Sequence, residues 1–127
     1  MAAPNLLLDT HVFLWWRIND PRIHDSVRKA VADAPLVFVS VASAWEAAIK
    51  RALGKLTLPE SVEAGVAHSG FEKLMISFAH TEIAAALPPH HHDPFDRMLL
   101  AQAQAEGLTL VTHDRKMEPY GLSILWV

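Results

Sequence analysis

Short apolar runs alternate with longer amphipathic segments along nearly the whole of this chain. Five runs have the length of a buried strand and are too short for a helix. They are Asn5 to Leu8, Leu36 to Val39, Leu74 to Ile76, Leu108 to Val111 and Ser123 to Val127. An alternation of strands and helices is typical of a parallel sheet that is covered on both faces. The sequence therefore predicts an α/β fold, a three-layer sandwich around a central parallel sheet of about five strands.

Capping residues and helix breakers place the predicted helices between these strands. The helices run from a cap at Thr10 through Trp16, from Asp25 to Ala34, from Val41 to Leu53 behind a Ser40 cap, onward from Pro59, from Thr81 to Leu87, and from Asp93 to Glu106. The last helix is the best defined. Asp93 is a favoured N-cap, Pro94 suits the first helical position, and Gly107 ends the helix.

The composition restricts the class of protein. With 127 residues, 51% of them apolar, we expect a single domain over residues 1–127. A formal charge of −3 does not mark a strongly basic nucleic-acid binder, and the absence of cysteine excludes disulfides, zinc thiolates and thiol nucleophiles. No run approaches the roughly 20 apolar residues that cross a bilayer. The N-terminus also lacks the pattern of a signal peptide. We therefore expect a cytoplasmic protein with no membrane association.

Carboxylates follow or flank several of the predicted strands. Asp9 directly follows the first run, Glu46 lies near the start of the helix after the second, and Asp114 comes just after the run that begins at Leu108. Asp96 lies in the first turn of the helix that Asp93 caps. Functional residues of parallel sheets gather beyond the carboxyl ends of the strands. We therefore expect these acids to meet at one edge of the sheet.

Each acid also has a purely structural interpretation. Asp9 and Asp93 can cap the helices that follow them, and Asp96 then lies where an acid favours the helix dipole. Glu46 lies four residues before Lys50 on a helix, in the favoured order for a surface ion pair. Asp114, in the same way, can begin a short helix.

Taken together, the acids favour a cation site. Glu46 lies in the apolar stretch from Ala44 to Ile49, so its carboxylate is expected to be partly buried and to need a partner. Several carboxylates in close quarters cannot all stay ionised without a compensating cation. Oxygen ligands without cysteine favour Mg²⁺ or Mn²⁺. Such a site suits phosphodiester hydrolysis, in which the metal lowers the pKa of an attacking water.

The histidines and the arginine beside these acids leave alternatives open. The run His90–His92 before Asp93 can bind a transition metal, but three consecutive loop residues seldom point at one ion. A solvated loop in which His92 touches substrate is the favoured interpretation. His11 can contact substrate or serve a structural role, and Arg97 can reach a phosphate or pair with an acid.

Four segments carry a resemblance to a known family. They are Leu7-Leu8-Asp9-Thr10-His11, Ser40-Val41-Ala42-Ser43-Ala44-Trp45-Glu46, His92-Asp93-Pro94-Phe95-Asp96-Arg97 and Leu110-Val111-Thr112-His113-Asp114. In this order and spacing they are similar to the motifs of PIN-domain proteins, and more narrowly of VapC-type toxin ribonucleases of type II toxin–antitoxin systems. The resemblance covers almost the full length of the chain.

The resemblance implies a PIN-like sandwich and a Mg²⁺- or Mn²⁺-dependent endoribonuclease, in which a metal-activated water attacks the phosphorus of RNA. It also implies a homodimer and a cognate VapB-like antitoxin that inserts into the active-site groove. Asp9, Glu46 and Asp96 match the family's characteristic catalytic and metal-binding acids, and Asp114 matches a fourth, more variable one. The matched accessory positions are Asp93, Thr10 and Thr112.

Two other functions remain open at this stage. One is a PIN nuclease without a toxin role, acting in RNA processing or on DNA. The other is a non-catalytic, receiver-like binding module whose acids are caps and ion pairs. A receiver is expected to have paired acids at the end of the first strand and a lysine after a late strand. This chain has only Asp9 at the first of these places, and Arg115-Lys116 only after Asp114.

Overall fold

The computed structural model of the protein describes residues 3–127. Residues 1 and 2 lie outside this range. The predicted domain over residues 1–127 and the predicted absence of a signal peptide both include them. The strands are β1 (Leu6–Leu8), β2 (Val37–Ser40), β3 (Glu72–Leu74), β4 (Thr109–Thr112) and β5 (Ile124–Trp126). The helices are α1 (Thr10–Arg17), α2 (Asp25–Asp33), α3 (Val41–Ala52), α4 (Val62–Ser69), α5 (Phe78–Ala86), α6 (Pro94–Glu106) and a 3-10 helix (Arg115–Tyr120).

The five strands form one parallel sheet in the order β3-β2-β1-β4-β5. This confirms the predicted α/β fold. The central strand is β1, in which Leu7 pairs with Phe38 on one side and Leu110 on the other. The chain first adds β2 and β3 on one side of β1 and then adds β4 and β5 on the other side. The strand order therefore reverses between β1 and β4, and a reversal of this kind creates a crevice at the carboxyl ends of the strands. A receiver-like sheet would have the order 2-1-3-4-5, so the sheet argues against the binding-module alternative.

Two hydrophobic layers cover the two faces of the sheet. Successive side chains of a strand point to opposite faces. All three leucines of β1 are buried, so this strand contributes side chains to both layers. Leu6 and Leu8 pack with Val12 and Phe13 of α1 and with residues of α2 and α4. Leu7 packs on the other face with the buried leucines of α6 and with Met117. The three layers of the predicted sandwich are therefore present.

Several predicted element boundaries are wrong. Thr10 is the first residue of α1 and not its cap, because Oδ1 of Asp9 accepts the N–H of Val12 at 2.8 Å. Pro59 does not begin α4, because the Ser61 hydroxyl caps that helix by accepting the N–H of Ala64. The third strand lies over Glu72–Leu74, slightly before the predicted Leu74–Ile76.

The α5 helix begins three residues earlier than the sequence predicts, at Phe78. Ser77 caps it in a reciprocal arrangement in which His80 takes the part usually played by Glu or Gln. The Ser77 hydroxyl accepts the N–H of His80, and Nδ1 of His80 accepts the N–H of Ser77. A histidine in this role is not an obvious helix-start signal, which explains why the sequence predicts the start of this helix at Thr81, three residues too far along the chain. Within residues 3–127, no helix has both the length and the apolar character needed to cross a membrane.

Candidate active site

Five carboxylates line one cavity of about 360 Å³ beyond the carboxyl ends of the central strands. The cavity is lined by Asp9, His11, Glu46, Lys50, Asp93, Asp96, His113, Asp114 and Arg115. Strands β1 and β4 are parallel neighbours, so their carboxyl ends bring Asp9 and the loop to Asp114 to the same place. Helices α3 and α6 contribute Glu46 and Asp96 from the side. The structure thus brings together all four acids that the sequence singles out as principal site residues.

Asp9 is buried, and both of its carboxylate oxygens are held in place. Oδ1 accepts the N–H of Val12, and Oδ2 accepts the hydroxyl of Thr112 at the end of β4. Burial raises the pKa of Asp9 above its usual range, while the hydrogen bonds from Thr112 and Val12 and the nearby His11 and His113 act in the opposite direction. Asp9 is therefore both the cap of α1 and a carboxylate with a fixed orientation.

Glu46 projects from α3 with only 9% of its side chain exposed. Its Oε2 lies 3.0 Å from Nζ of Lys50, which is the ion pair expected from their spacing. Among the described residues, Oε1 of Glu46 is buried and has no hydrogen-bond partner. A buried carboxylate oxygen without a partner is costly, so this atom indicates that the cavity accommodates a positively charged or hydrogen-bonding group.

Asp93 and Asp96 stand at the N-terminus of α6. Oδ1 of Asp93 accepts the N–H groups of Phe95 and Asp96, at 2.8 and 3.0 Å, as the sequence predicts for the helix cap. Burial, and next the negative charge of Asp93, raise the pKa of Asp96 to about 7, with smaller contributions in the same direction from Asp9 and Glu46. The cavity therefore concentrates more negative charge than its own side chains neutralise.

His91 contacts two of the acids, a role that sequence reasoning missed. Its ring is buried, and its Nε2 lies 2.9 Å from Oδ2 of Asp96 and 3.1 Å from Oδ2 of Asp114. One potential ligand atom from each of these three residues lies within 4.8 Å of the others. The sequence marks all three histidines alike, and only the position of His91 two residues before the Asp93 cap hints that it lies near the helix start.

The two threonines that the family resemblance designates as accessory residues have different surroundings. Thr112 contacts Asp9 and also accepts the N–H of Asp114 at 3.1 Å, so it connects two of the cavity's acids. Thr10 instead donates its hydroxyl to Oγ of Ser43 at 2.9 Å, a buried contact between α1 and α3. The predicted hydroxyl near the acids is thus that of Thr112, whereas Thr10 joins two helices.

Arg97 is used differently from either predicted role. Its guanidinium donates hydrogen bonds to four backbone carbonyl groups between 2.7 and 3.0 Å, and it does not line the acidic cavity. The acceptors are Ala84, Leu87, Pro88 and His91. Arg97 therefore fastens the end of α5 and the segment after it to the first turn of α6, and its hydrogen bonds go to main-chain carbonyl groups.

Imidazole rings and basic side chains line the acidic cavity beside the carboxylates. His11 and His113 line it, with ring centroids 6.0 Å apart, and the Trp15 ring lies 4.8 Å from that of His113. Lys50 and Arg115 are its basic lining residues. The predicted substrate contact His92 lines an adjoining cavity that shares Asp93, Asp96 and Asp114 with the first. His11 and His92 are thus placed where a substrate bound at the acids could reach them.

Comparisons with known proteins agree with this architecture. The sequence profile described as the PIN domain matches residues 6–121. A relative from Mycobacterium tuberculosis, named Ribonuclease VapC22, is 30% identical over 120 residues, which are 91% of this chain and 91% of the relative.

Solved structures resemble the fold over nearly the whole chain. One is a chain from the crystal structure of VapBC2 from Rickettsia felis bound to a DNA fragment from the VapBC2 promoter. It has a TM-score of 0.72 at 18% identity, and the match covers 95% of this chain and 97% of that one. A chain of a toxin–antitoxin complex from Klebsiella pneumoniae has a TM-score of 0.65 at 21% identity, covering 94% and 95%. At such identities the likeness is one of fold alone.

Proposed function

Because the chain belongs to the PIN domain family, we propose that it is a Mg²⁺- or Mn²⁺-dependent endoribonuclease and the toxin of a VapBC-type toxin–antitoxin pair. The observation that carries the catalytic part is the convergence of Asp9, Glu46, Asp96 and Asp114 on one cavity. The toxin part is supported by the name of the 30% identical relative and by the toxin–antitoxin complexes among the structures that share the fold.

The residues present fit a hard divalent cation. The candidate ligand atoms are carboxylate oxygens, which Mg²⁺ and Mn²⁺ prefer. In the part of the chain that the structure describes, Oε1 of Glu46 has no hydrogen-bond partner, and burial together with the negative charge of Asp93 raises the pKa of Asp96. A bound cation would stabilise both carboxylates in their ionised form. We assign Asp9, Glu46 and Asp96 as the ligands, directly or through water, and Asp114 as a supporting acid. Asp93 orients the first turn of α6, which carries Asp96.

The chain's own residues prepare the site for hydrolysis of a phosphodiester. A divalent cation held by these acids would lower the pKa of an attacking water and would neutralise negative charge on the phosphate. Thr112 and the N–H of Val12 keep the Asp9 carboxylate oriented, so it need not reorganise during the reaction. Lys50 and Arg115 attract phosphate groups to an otherwise negative cavity. His11, which lines this cavity, and His92, which lines the adjoining one, are the proposed contacts to the RNA substrate.

The proposed partners are those that the resemblance to VapC-type toxins implies. RNA is the substrate, a VapB-like antitoxin is the inhibitor, and the active form is a homodimer. The protein acts in the cytoplasm, where it meets RNA.

An RNA cleavage assay with Mg²⁺, Mn²⁺ or EDTA tests the catalytic proposal. We expect cleavage with either metal, none in EDTA, and none by Asp9→Asn or Asp96→Asn. The matched control is Asp33→Asn, because Asp33 lies exposed at the end of α2 and forms a surface ion pair with Lys29. If Asp9→Asn cuts RNA as fast as the parent in Mg²⁺, the mechanism is wrong.

Expression in bacteria tests the toxin role separately. We expect the parent to arrest growth, co-expression of a VapB-like antitoxin to relieve the arrest, and Asp96→Asn to have no effect on growth. RNA cleavage in vitro without growth arrest would instead favour a PIN nuclease of RNA processing, and cleavage of DNA in preference to RNA would favour the DNA-directed alternative.

A further inference from the structure

The ring of His91 lies between two carboxylates and a backbone N–H. On one side its Nε2 makes a 3.1 Å hydrogen bond with Oδ2 of Asp114 and lies 2.9 Å from Oδ2 of Asp96. On the other side its Nδ1 faces the backbone N–H of Asp93 at 3.4 Å. Each of its two ring nitrogens therefore has its own neighbour in the protein.

These contacts select one tautomer of the ring. A backbone N–H can only donate, so Nδ1 must offer its lone pair to Asp93, and the proton of the neutral ring is on Nε2. That proton points at the carboxylates of Asp114 and Asp96, which can only accept when ionised. A histidine that binds a metal through Nε2 would need its proton on Nδ1, where the N–H of Asp93 already points. The contacts therefore make His91 a hydrogen-bond donor to the acids and not a ligand.

The main chain on both sides of the ring is fixed. The N–H of His91 donates to the Tyr120 hydroxyl at 2.8 Å, and that hydroxyl donates to the carbonyl of Pro88 at 2.7 Å. The carbonyl of His91 accepts a hydrogen bond from Arg97 at 3.0 Å. Only 6% of the residue is exposed. A buried ring with both main-chain groups bonded has little freedom to turn away from the acids.

We propose that His91 is a positioning residue that holds Asp96 and Asp114 together for cation binding, and this rests on the proposed metal-dependent function. Asp96 belongs to α6 and Asp114 precedes the 3-10 helix, so the ring connects two elements that each contribute one acid. Without a donor between them, the two carboxylates would repel each other and separate. Groups that hydrogen-bond to metal-binding carboxylates typically change metal affinity by roughly 10- to 100-fold when removed.

Titration of Mn²⁺ by calorimetry on the full chain provides the first test. We expect His91→Ala to lower the Mn²⁺ affinity by roughly 10- to 100-fold. His91→Gln should recover most of the loss, because its amide N–H can reach about as far as Nε2 of histidine. The control is His90→Ala, which removes the neighbouring ring that packs edge-to-face against Tyr120 and should leave the affinity unchanged. Circular dichroism of each variant establishes that it is folded.

Nitrogen NMR of the histidine rings in the parent provides the second test and needs no variant. We expect His91 to carry its proton on Nε2 without metal, and to keep it there at saturating Mg²⁺. A proton on Nδ1, or an Nε2 resonance that moves to the metal-bound form, would make His91 a ligand and overturn the proposal. Equal Mn²⁺ affinities of the parent, His91→Ala and His91→Gln would also overturn it.

The calorimetry separates this proposal from the one on which it rests. If the parent binds neither Mn²⁺ nor Mg²⁺, the proposed metal-dependent function fails, and the positioning role fails with it. If the parent binds Mn²⁺ and loses it in Asp9→Asn but not in His91→Ala, the metal centre stands and only the role of His91 is refuted.

Discussion

The hydroxyl of Thr112, the last residue of β4, donates a hydrogen bond to Oδ2 of Asp9, the residue that follows β1. The same hydroxyl accepts the N–H of Asp114 at 3.1 Å. One side chain thus connects a central carboxylate of the cavity to the backbone that carries another. The parallel pairing of β1 with β4 makes this possible, because it brings the two strand ends side by side.

Replacing this hydroxyl tests its importance for stability and for metal binding. Thr112→Val keeps the shape of the side chain but removes the donor to Asp9 and the acceptor for Asp114. We expect the free energy of unfolding to fall by about 1–3 kcal/mol, because buried polar groups lose their partner. The pKa of Asp9 should rise further, since the Thr112 hydrogen bond lowers it, and Mn²⁺ should bind more weakly at neutral pH.

Urea unfolding followed by tryptophan fluorescence, together with Mn²⁺ calorimetry, measures both effects. Thr112→Ser is the control, because it keeps the hydroxyl and should retain most of the Mn²⁺ affinity. Equal Mn²⁺ affinities for Thr112→Val and the parent would show that the hydroxyl does not orient Asp9.

The raised pKa of Asp96 predicts how the metal-free protein responds to pH. Its value near 7 in the folded state exceeds the ordinary value of 3.8, so the folded protein binds this proton more tightly than the unfolded chain. Protonation of Asp96 therefore stabilises the folded state. This contribution is fully present below pH 3.8 and is lost as the pH rises through about 7. Burial raises the pKa of Asp9 as well, which acts in the same direction.

Comparing Asp96→Asn with the parent isolates this contribution. In EDTA, the stability of the variant relative to the parent should increase between pH 4 and pH 8 by about 2 kcal/mol, after allowance for the partial exposure of the group. Saturating Mg²⁺ should abolish this advantage, because the cation stabilises the ionised carboxylate of the parent. A difference that does not vary with pH in EDTA would contradict the shifted pKa.

Local signals in the sequence were sufficient to predict α6 and the acids at its start. Asp93, Pro94 and Gly107 each act within one turn of the helix, so the predicted and observed boundaries agree. The β3 strand was harder to place, because Glu72 and Lys73 are exposed at the edge of the sheet and give no apolar run. Its position follows from its pairing with β2, which is a tertiary contact.

The same distinction applies to the candidate site. The four principal acids could be predicted because each lies at a strand end or in a helix that follows one. Which of the three consecutive histidines turns inward could not be predicted. That choice depends on the hydrogen bond to Tyr120, which is distant in sequence, and on Arg97, whose contacts with the main chain leave no trace in the sequence pattern.

Oε1 of Glu46, which has no hydrogen-bond partner within residues 3–127, predicts that replacing this residue affects activity and stability differently. Glu46→Gln removes a buried charge whose Oε2 is paired with Lys50 but whose Oε1 has no partner among the described residues, so the free energy of unfolding in EDTA should stay unchanged or rise by about 1 kcal/mol. RNA cleavage in Mg²⁺ should fall by roughly a hundredfold or more, since a proposed metal ligand is lost. Glu63→Gln, at an exposed site paired with Lys73, is the control and should leave both quantities near those of the parent.

The contacts of Arg97 predict that its replacement lowers the stability of the protein and does not act primarily on substrate binding. Arg97→Met keeps much of the side-chain stem but leaves four carbonyl groups without their donor, and we expect a loss of about 3 kcal/mol in the free energy of unfolding. Arg97→Lys should recover little, because a single ammonium cannot reproduce the fork of the guanidinium. The Mn²⁺ affinity should fall as well, since the carbonyl of His91 is one of the four acceptors.

Arg115 is the matched comparison for Arg97, because it is an arginine that lines the acidic cavity. It also stacks over Trp126, with its guanidinium carbon 4.0 Å from the ring centroid. Arg115→Met should raise the KM for RNA while changing the free energy of unfolding by less than about 1 kcal/mol, as expected for an exposed cation. If Arg97→Met instead raises the KM and leaves the stability intact, Arg97 binds phosphate and the role derived from its four carbonyl contacts is wrong.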